Sequence, residues 1–504
     1  MTHPILWAQV DERIEKLTKQ LPSSIPIHVP DQLFGIPVQR GVLVATGAVV
    51  AVLLALAVLM LLSRGAKKAL RKIDDAVNRD LPGHLETVTL GRRKMSISQL
   101  PLVSERIRNV ASARSVDIVK LVDYTLQNAV ALSASDIHFD PKDRYIALQY
   151  RIDGVLYDVA QVSPRLYQNV LTRVKVLAKL KTFVKGLPQD GRIHSVRDTG
   201  EEVDLRVSVM PTLHGEKIVL RVMQREGVLY QLADLGFDSH VLEDYTRLIS
   251  MPQGIAFLTG PTGSGKTTTI YSTLKTVKEN RGELVKIVTI EDPIEFDLDF
   301  LTQTGVNDAA DFTFARGLRS ILRQDPDVIM VGEIRDLETA QIAIQAGLTG
   351  HLLFTSVHAN SASGVFSRLI NLGVEPFLIA SATVGVLSQR LVRRICSHCV
   401  AESKPTDAEL KSLARTNVPI PDGPWYVGAG CEHCLGKGYV GRIGIYELVT
   451  ITERIREALI ARATSTNIEA IAREDGMHTL LQDGLDKCQR QITSLSEVMR
   501  VALV

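Results

Sequence analysis

The chain is 504 residues long, with 23% charged and 5% aromatic side chains and a formal net charge of +2. That length exceeds one compact core and implies about two to four domains. The near balance of acids and bases excludes the broad positive field of a typical nucleic-acid binder.

Residues 1–40 contain the Pro-rich LPSSIPIHVPDQLFGIP, which resists regular structure and reads as a short extracytoplasmic tail. Residues 41–62, GVLVATGAVVAVLLALAVLMLL, form a 22-residue run without a charged side chain. As a helix it would extend about 33 Å, enough for a hydrocarbon core of roughly 30 Å. A secretory signal peptide fits poorly, because its apolar core is only about 7 to 15 residues long and starts near the N-terminus. A buried core helix is the alternative, weakened by a run that is apolar on every face. Arg64, Lys67, Lys68, Arg71 and Lys72 follow the run, whereas Arg40 alone precedes it closely, so the C-terminal side is placed in the cytoplasm. Residues 63–115, mixed and basic, read as a juxtamembrane helix and linker.

Residues 116–229 carry the pattern of a small α/β domain. DIVKLVDYTLQNAVAL has helical apolar spacing, PRLYQNVLTRVKVLAKL starts a second helix at a proline, and SDIHFDP, YIALQYRIDGVLYDVAQV and EKIVLRVM read as strands. EVDLRVSVMPTLHGEKIVLRVM presents Arg206 and Arg221 on what read as paired strands. The two guanidinium groups either converge on one phosphate or make surface salt bridges.

From residue 230 to 504, strands alternate with helices: IAFLTG, KIVTIE, DVIMVGE and HLLFTSV are short apolar runs suited to a doubly wound parallel sheet covered on both faces. GPTGSGKT, from Gly260 through Pro261, Thr262, Gly263, Ser264, Gly265 and Lys266 to Thr267, follows the first strand and leads into the helical TTTIYSTLKTVKEN, whose Thr268 joins the nucleotide-binding set. This is a phosphate loop: helix N-terminal N–H groups face the phosphates, Lys266 neutralises β- and γ-phosphate charge, and the Thr267 hydroxyl ligates Mg²⁺. The loop alone does not separate ATP from GTP. Glu333 ends DVIMVGE, at the strand edge where ligands of such sheets bind, and is placed to orient or deprotonate a water. Gly332 stands where the commonest Mg²⁺ carboxylate would be. In TIEDPIEF, Glu291, Asp292 and Glu295 are each candidates for the same crevice, or the segment is a turn of solvated acids. His351 and His358 bracket another strand; one senses the γ-phosphate or both are structural.

Cys396-Ser-His-Cys399 and Cys431-Glu-His-Cys434 form two C-x₂-C knuckles inside an insertion at 394–440. That spacing suits a structural, tetrahedral Zn²⁺ site, with free thiols as the alternative. Cys488 is left over and is expected in a core.

Together these motifs resemble the ATPases of type II secretion and type IV pilus assembly over residues 115 to 504. The resemblance rests on SDIHFDP, RIDGVL, LPQDGRI, the phosphate loop, TIEDPIEF, LRQDPDVIMVGEIRD, TGHLLFTSVHAN, LVRRIC and GYVGRIGIYEL. It implies a small PAS-like α/β domain ahead of a RecA-like P-loop ATPase domain with C-terminal helices. Glu295 and Glu333 would act in hydrolysis, His358 would monitor the γ-phosphate, and Arg206 and Arg221 would reach the nucleotide. It also implies ATP, Mg²⁺ and Zn²⁺, a ring hexamer, and work on a polytopic inner-membrane platform protein that extrudes pilin or pseudopilin. By the same resemblance, the tetracysteine insertion looks like that of the extension or secretion branch. A DNA-transport motor of conjugation or competence is the alternative, opposed by the absence of a basic or aromatic-studded tract. Two departures stand out. Gly186 lies in FVKG where the family carries an Arg-containing segment, and a membrane span at 41–62 stands where family members carry a partner-binding domain, implying a single-pass anchor in the inner membrane.

Overall fold

The computed structural model describes residues 89–503, except 91–94, 114, 198–201, 225–228 and 417. The expected tail at 1–40, the span at 41–62 and the first part of the linker lie outside the described residues. Among the described residues no helix is long and apolar enough to cross a membrane.

Two seven-stranded sheets organise the described residues. The first is built from β1 (Thr89–Leu90), β2 (Asp136–Pro141), β3 (Ile146–Ile152), β4 (Val155–Val162), β5 (Gln189–Arg197), β6 (Glu202–Thr212) and β7 (Gly215–Gln224). Its order is β1-β5-β6-β7-β2-β3-β4, antiparallel apart from the short β1–β5 pair. Along β6, Val203, Leu205, Val207 and Val209 are buried while Asp204, Arg206, Ser208 and Met210 face outward, the alternation of a sheet with one covered face. Helices α1 (Leu100–Ala111), α2 (Ile118–Ala131) and α3 (Pro164–Leu177) pack into the core on the covered face, each carrying its apolar residues three and four apart.

Residues 97–111 fall in the segment read as a juxtamembrane helix and linker, and they dock on the first sheet. Ile97, Leu100, Val103 and Ile107 are buried in the first core. Ser104 shares the buried face while Glu105, Arg106 and Arg108 are exposed, the spacing of an amphipathic helix.

The second sheet holds β8 (Gly254–Thr259), β9 (Ile287–Glu291), β10 (Thr302–Gly305), β11 (Val328–Val331), β12 (Leu352–Val357), β13 (Thr383–Ile395) and β16 (Tyr439–Thr450), in the order β10-β9-β11-β12-β8-β13-β16. All neighbours are parallel except β13 and β16. Every residue of β8, β9, β11 and β12 is buried, which is why these strands read as continuous apolar runs rather than alternating ones. Helix α4 (Lys266–Arg281) follows β8. The antiparallel pair β14 (Val400–Ser403) and β15 (Trp425–Gly428) lies within the cysteine-bearing insertion.

The two sheets are joined by specific contacts. The Gly441 N–H donates to Asp153 Oδ2 at 2.9 Å and Arg442 Nε lies 3.6 Å from Asp153 Oδ1, so the β3–β4 turn of the first sheet meets β16 of the second. Leu435 and Val440 add apolar contact to the first core. A cleft is left between the outward face of β5–β7 and the segment that follows β9.

Candidate nucleotide site

The phosphate loop takes its shape from glycines that other residues could not replace. Gly260 has φ +151°, and a Cβ there would lie 2.5 Å from the Gln389 carbonyl oxygen and 2.6 Å from Ser264 Oγ. Gly265 has φ +89° and caps α4 without a side-chain hydrogen bond, so the first N–H groups of the helix stay open toward the loop. Lys266 Nζ donates to the Gly260 and Pro261 carbonyls at 2.8 and 3.1 Å, circling the same space. Burial lowers its pKa, with the Glu333 charge opposing the shift. Ser264 Oγ and Gln389 Oε1 are buried without partners beside it. Open N–H groups, a converging cation and small residues fit a polyphosphate, and the Thr267 hydroxyl in the first turn of α4 supplies the hard oxygen donor that suits Mg²⁺.

Parallel neighbours then bring acids and bases to the same edge. β11 and β12 pair with Val331 opposite Thr355, so the residues just beyond their ends lie side by side. Glu333 Oε2 stands 3.3 Å from His358 Nε2, and Glu333 Oε1 accepts from Arg335 at 2.5 Å. Burial pushes the Glu333 carboxyl up, but the Arg335 hydrogen bond and the charges of Arg335, His358 and Lys266 outweigh it and leave the pKa lowered. Thr259, ending β8, clamps Ala359 through both its backbone groups at 2.9 and 3.0 Å, which fixes the turn carrying His358 against the phosphate loop. His351 sits at the opposite end of β12, its Nδ1 3.1 Å from the Ala346 carbonyl oxygen. Of the two histidines, only His358 faces the phosphate edge.

The acidic segment divides three ways. Glu291 is buried, 2% exposed, and turned inward. Asp292 lies 3.7 Å from Arg335, which thereby bridges it to Glu333. Glu295 faces the cleft, a cavity of about 560 Å³ lined also by Arg192, Asp204, Arg206 and Gln303. Burial raises the Glu295 pKa, with the Arg221 and Arg206 charges pulling against it.

Across this cleft the first sheet presents a row. Arg192 pairs with Arg206, Arg206 with Arg221, and Arg221 with Asp136 in direct cross-strand register, so all four side chains share one face. Asp136, 6% exposed, seats Arg221 with Nε–Oδ1 at 3.0 Å. Like charges directly opposed across a ladder are destabilising, and three in line fit a surface that receives an anion. Sequence reading found Arg206 and Arg221 and missed Arg192 and Arg335. Arg192 sits in LPQDGRI and Arg335 in GEIRD, both quoted motifs, but only register and the fold of the strand end show where they point.

The cysteines gather as their spacing suggested. The four sulfurs lie within 4.8 Å of one another, with Cys396–Cys431 at 3.9 Å, Cys399–Cys434 at 3.8 Å and Cys431–Cys434 at 3.7 Å. Tetrahedral Zn–S bonds of about 2.3 Å place sulfurs about 3.8 Å apart, so the cluster is sized for such an ion. Burial works against ionisation of Cys434, yet the Cys431 and Gly438 N–H groups aimed at its sulfur outweigh it and bring its pKa down to about 7. Cys488 is fully buried in a separate core cluster.

The family described as Type II/IV secretion system protein matches residues 111–500. The type II secretion system ATPase E of Vibrio cholerae serotype O1 is 46% identical over 386 residues, covering 76% of this chain and 75% of that protein. The type IV pilus assembly ATPase PilB of Thermus thermophilus is 45% identical over 380 residues, covering 75% of this chain but 42% of that protein. In fold, the chain is similar to the Yersinia pseudotuberculosis ATPase DotB, with a TM-score of 0.58 at 22% identity over 77% of this chain and 94% of that one. It is also similar in fold to the pilus retraction motor PilT with bound ADP, with a TM-score of 0.51 at 24% identity over 77% and 97% of the two chains.

Proposed function

The chain belongs to the type II/IV secretion system protein family and is an ATPase, and from that premise we propose that it converts ATP hydrolysis into work on an inner-membrane platform in type IV pilus assembly or type II secretion. The observation that carries this reading is the meeting of Lys266, Glu333 and His358 at one sheet edge, with an arginine row facing the adjoining acidic segment.

In this reading the loop from Gly260 to Thr268 binds the phosphates through its N–H groups and Lys266. The Thr267 hydroxyl would hold Mg²⁺, which would supply charge neutralisation at the phosphates. Glu333, kept ionised by Arg335 and His358, orients the attacking water. Glu295 takes its proton, because a carboxyl raised above its usual pKa is a better base near neutrality than an ordinary one. Arg206 and Arg221 stabilise the charge spread over the transferring phosphoryl group as the cleft closes. His358 reports the γ-phosphate to β12. Cys396, Cys399, Cys431 and Cys434 would hold a structural Zn²⁺.

The same reading takes the assembly as a homohexamer. It takes residues 41–62 as a single-pass anchor that holds the ring against its platform partner, with the ATPase in the cytoplasm. The apolar run and the basic residues after it support the anchor. Deleting residues 1–62 is expected to move the protein from the membrane fraction to the soluble one with ATPase activity kept; continued membrane partition would remove the anchor. For the reaction itself, Glu333→Gln is expected to bind ATP and to lose turnover by on the order of 10²- to 10³-fold. Unchanged phosphate release from that variant would sink the assignment of Glu333.

A further inference from the structure

Glu291 shares the acidic segment with Glu295 yet serves a different purpose. It closes β9 with its side chain shut away from solvent, and three protein donors converge on it. The Tyr271 hydroxyl donates to Oε2, Thr289 Oγ1 donates to Oε1 at 2.6 Å, and Gln303 Nε2 donates to Oε1 at 3.0 Å. A carboxylate filled in this way is a fixed post, since an attacking water has no route to it.

The donors tie together elements that matter for the site. Tyr271 stands on α4, in the helix that begins with Lys266. Gln303 stands on β10, the edge strand beyond the acidic segment. Gln303 also holds that segment directly: Nε2 donates to the Phe296 carbonyl at 3.0 Å, and Oε1 accepts from the Leu298 N–H at 2.9 Å. Tyr271 meets the Phe296 ring edge-on with centroids 5.9 Å apart. Burial and the Glu291 charge hold the Tyr271 phenol protonated, against the N–H groups of Glu295 and Phe296 that approach its oxygen. The residues on both sides of the Glu295 carboxylate are therefore pinned to the helix that carries the phosphate loop.

We propose that Tyr271, Glu291 and Gln303 are positioning residues, a buried polar relay that fixes the Glu295 carboxylate relative to the phosphate-binding end of α4. Phosphate seated on Lys266 and the base that acts on its water then move as one piece while the cleft opens and closes. The inference rests on the role given to Glu295 above. Its physical content is that a buried carboxylate keeps its geometry only while every donor is present, so loss of one donor lets the segment shift.

The test uses the full chain with Gln303→Met, which keeps side-chain bulk and removes donor and acceptor, and Tyr271→Phe, which removes one hydroxyl. Each is made with and without Glu295→Gln, and kcat, KM for ATP and the affinity for a non-hydrolysable ATP analogue are measured. Misplacement of a base by about 1 Å costs on the order of 10²-fold in rate, so kcat should fall about 10- to 100-fold while analogue affinity stays within about twofold. In the Glu295→Gln background the same substitutions should lower kcat no further. Gln303 is only half-buried, so Gln303→Met carries the test if Tyr271→Phe fails to fold. Normal kcat in the relay variants with an inactive Glu295→Gln overturns the relay and leaves Glu295 in place. Losses that add in full to that of Glu295→Gln also overturn it, because they mark general damage. A fully active Glu295→Gln overturns both.

Discussion

The carboxyl edge of the second sheet and the outward face of the first bring charged residues together by opposite routes. At the edge, Glu333 and His358 meet because two parallel strands are neighbours and each residue follows its strand within a few positions. On the first sheet, Arg192, Arg206 and Arg221 come from three antiparallel strands and meet through register alone. The charge balance differs as well. The edge compensates itself, with Glu333 held between Arg335 and His358. The row concentrates positive charge, and Asp136 seats Arg221 at its inner end. An edge that neutralises itself is preorganised before ligand arrives, whereas a row of like charges gains most when an anion enters the cleft.

Substitutions in the row should expose that difference. Arg221→Gln is expected to lower kcat by roughly 10²-fold or more, as removal of a guanidinium from a transferring phosphoryl group does. It should also move the acid limb of the pH profile. Glu295 already titrates above its usual 4.5 because burial outweighs the arginine charges. A base with a raised pKa loses its ionised form as pH falls through that raised value, so removing Arg221 shifts the limb to still higher pH. A limb that stays in place, measured as kcat against pH between 5 and 8 or so, would separate Arg221 from Glu295. Arg192→Gln should act more weakly, raising KM for ATP about fivefold with thermal stability unchanged, since it stands at the outer end of the row. An unaltered KM would end the functional row at Arg206.

The comparison also explains what could be read in the sequence. GPTGSGKT between an apolar strand and a helix fixes a phosphate loop locally, because strand, loop and helix are consecutive and the glycines admit few alternatives. The four parallel strands were legible for the same reason: burial on both faces leaves continuous apolar runs such as LLFTSV. Four cysteines in two knuckles carried their own geometry, confirmed here as a cluster of sulfurs. By contrast, TIEDPIEF offered three acids without ranking them from composition, and only the fold shows Glu291 filled by internal donors while Glu295 faces the cleft. Arg192 was invisible because cross-strand register is a long-range property that no local pattern states. The helix at Leu100–Ala111 lies in the segment read as a juxtamembrane helix and linker, and its docking on the first core is a long-range contact that local pattern does not state.

The central claim is that hydrolysis needs both sheets: the edge to bind and orient, the row to stabilise charge in transfer. Single-turnover phosphate release by the Arg206→Gln, Arg221→Gln double variant of the full chain tests it most directly. ATP is expected to bind within about threefold of the unmodified protein, and phosphate release to slow by on the order of 10³-fold. Release at the unmodified rate would show that the first sheet takes no part in the reaction and would contradict the account.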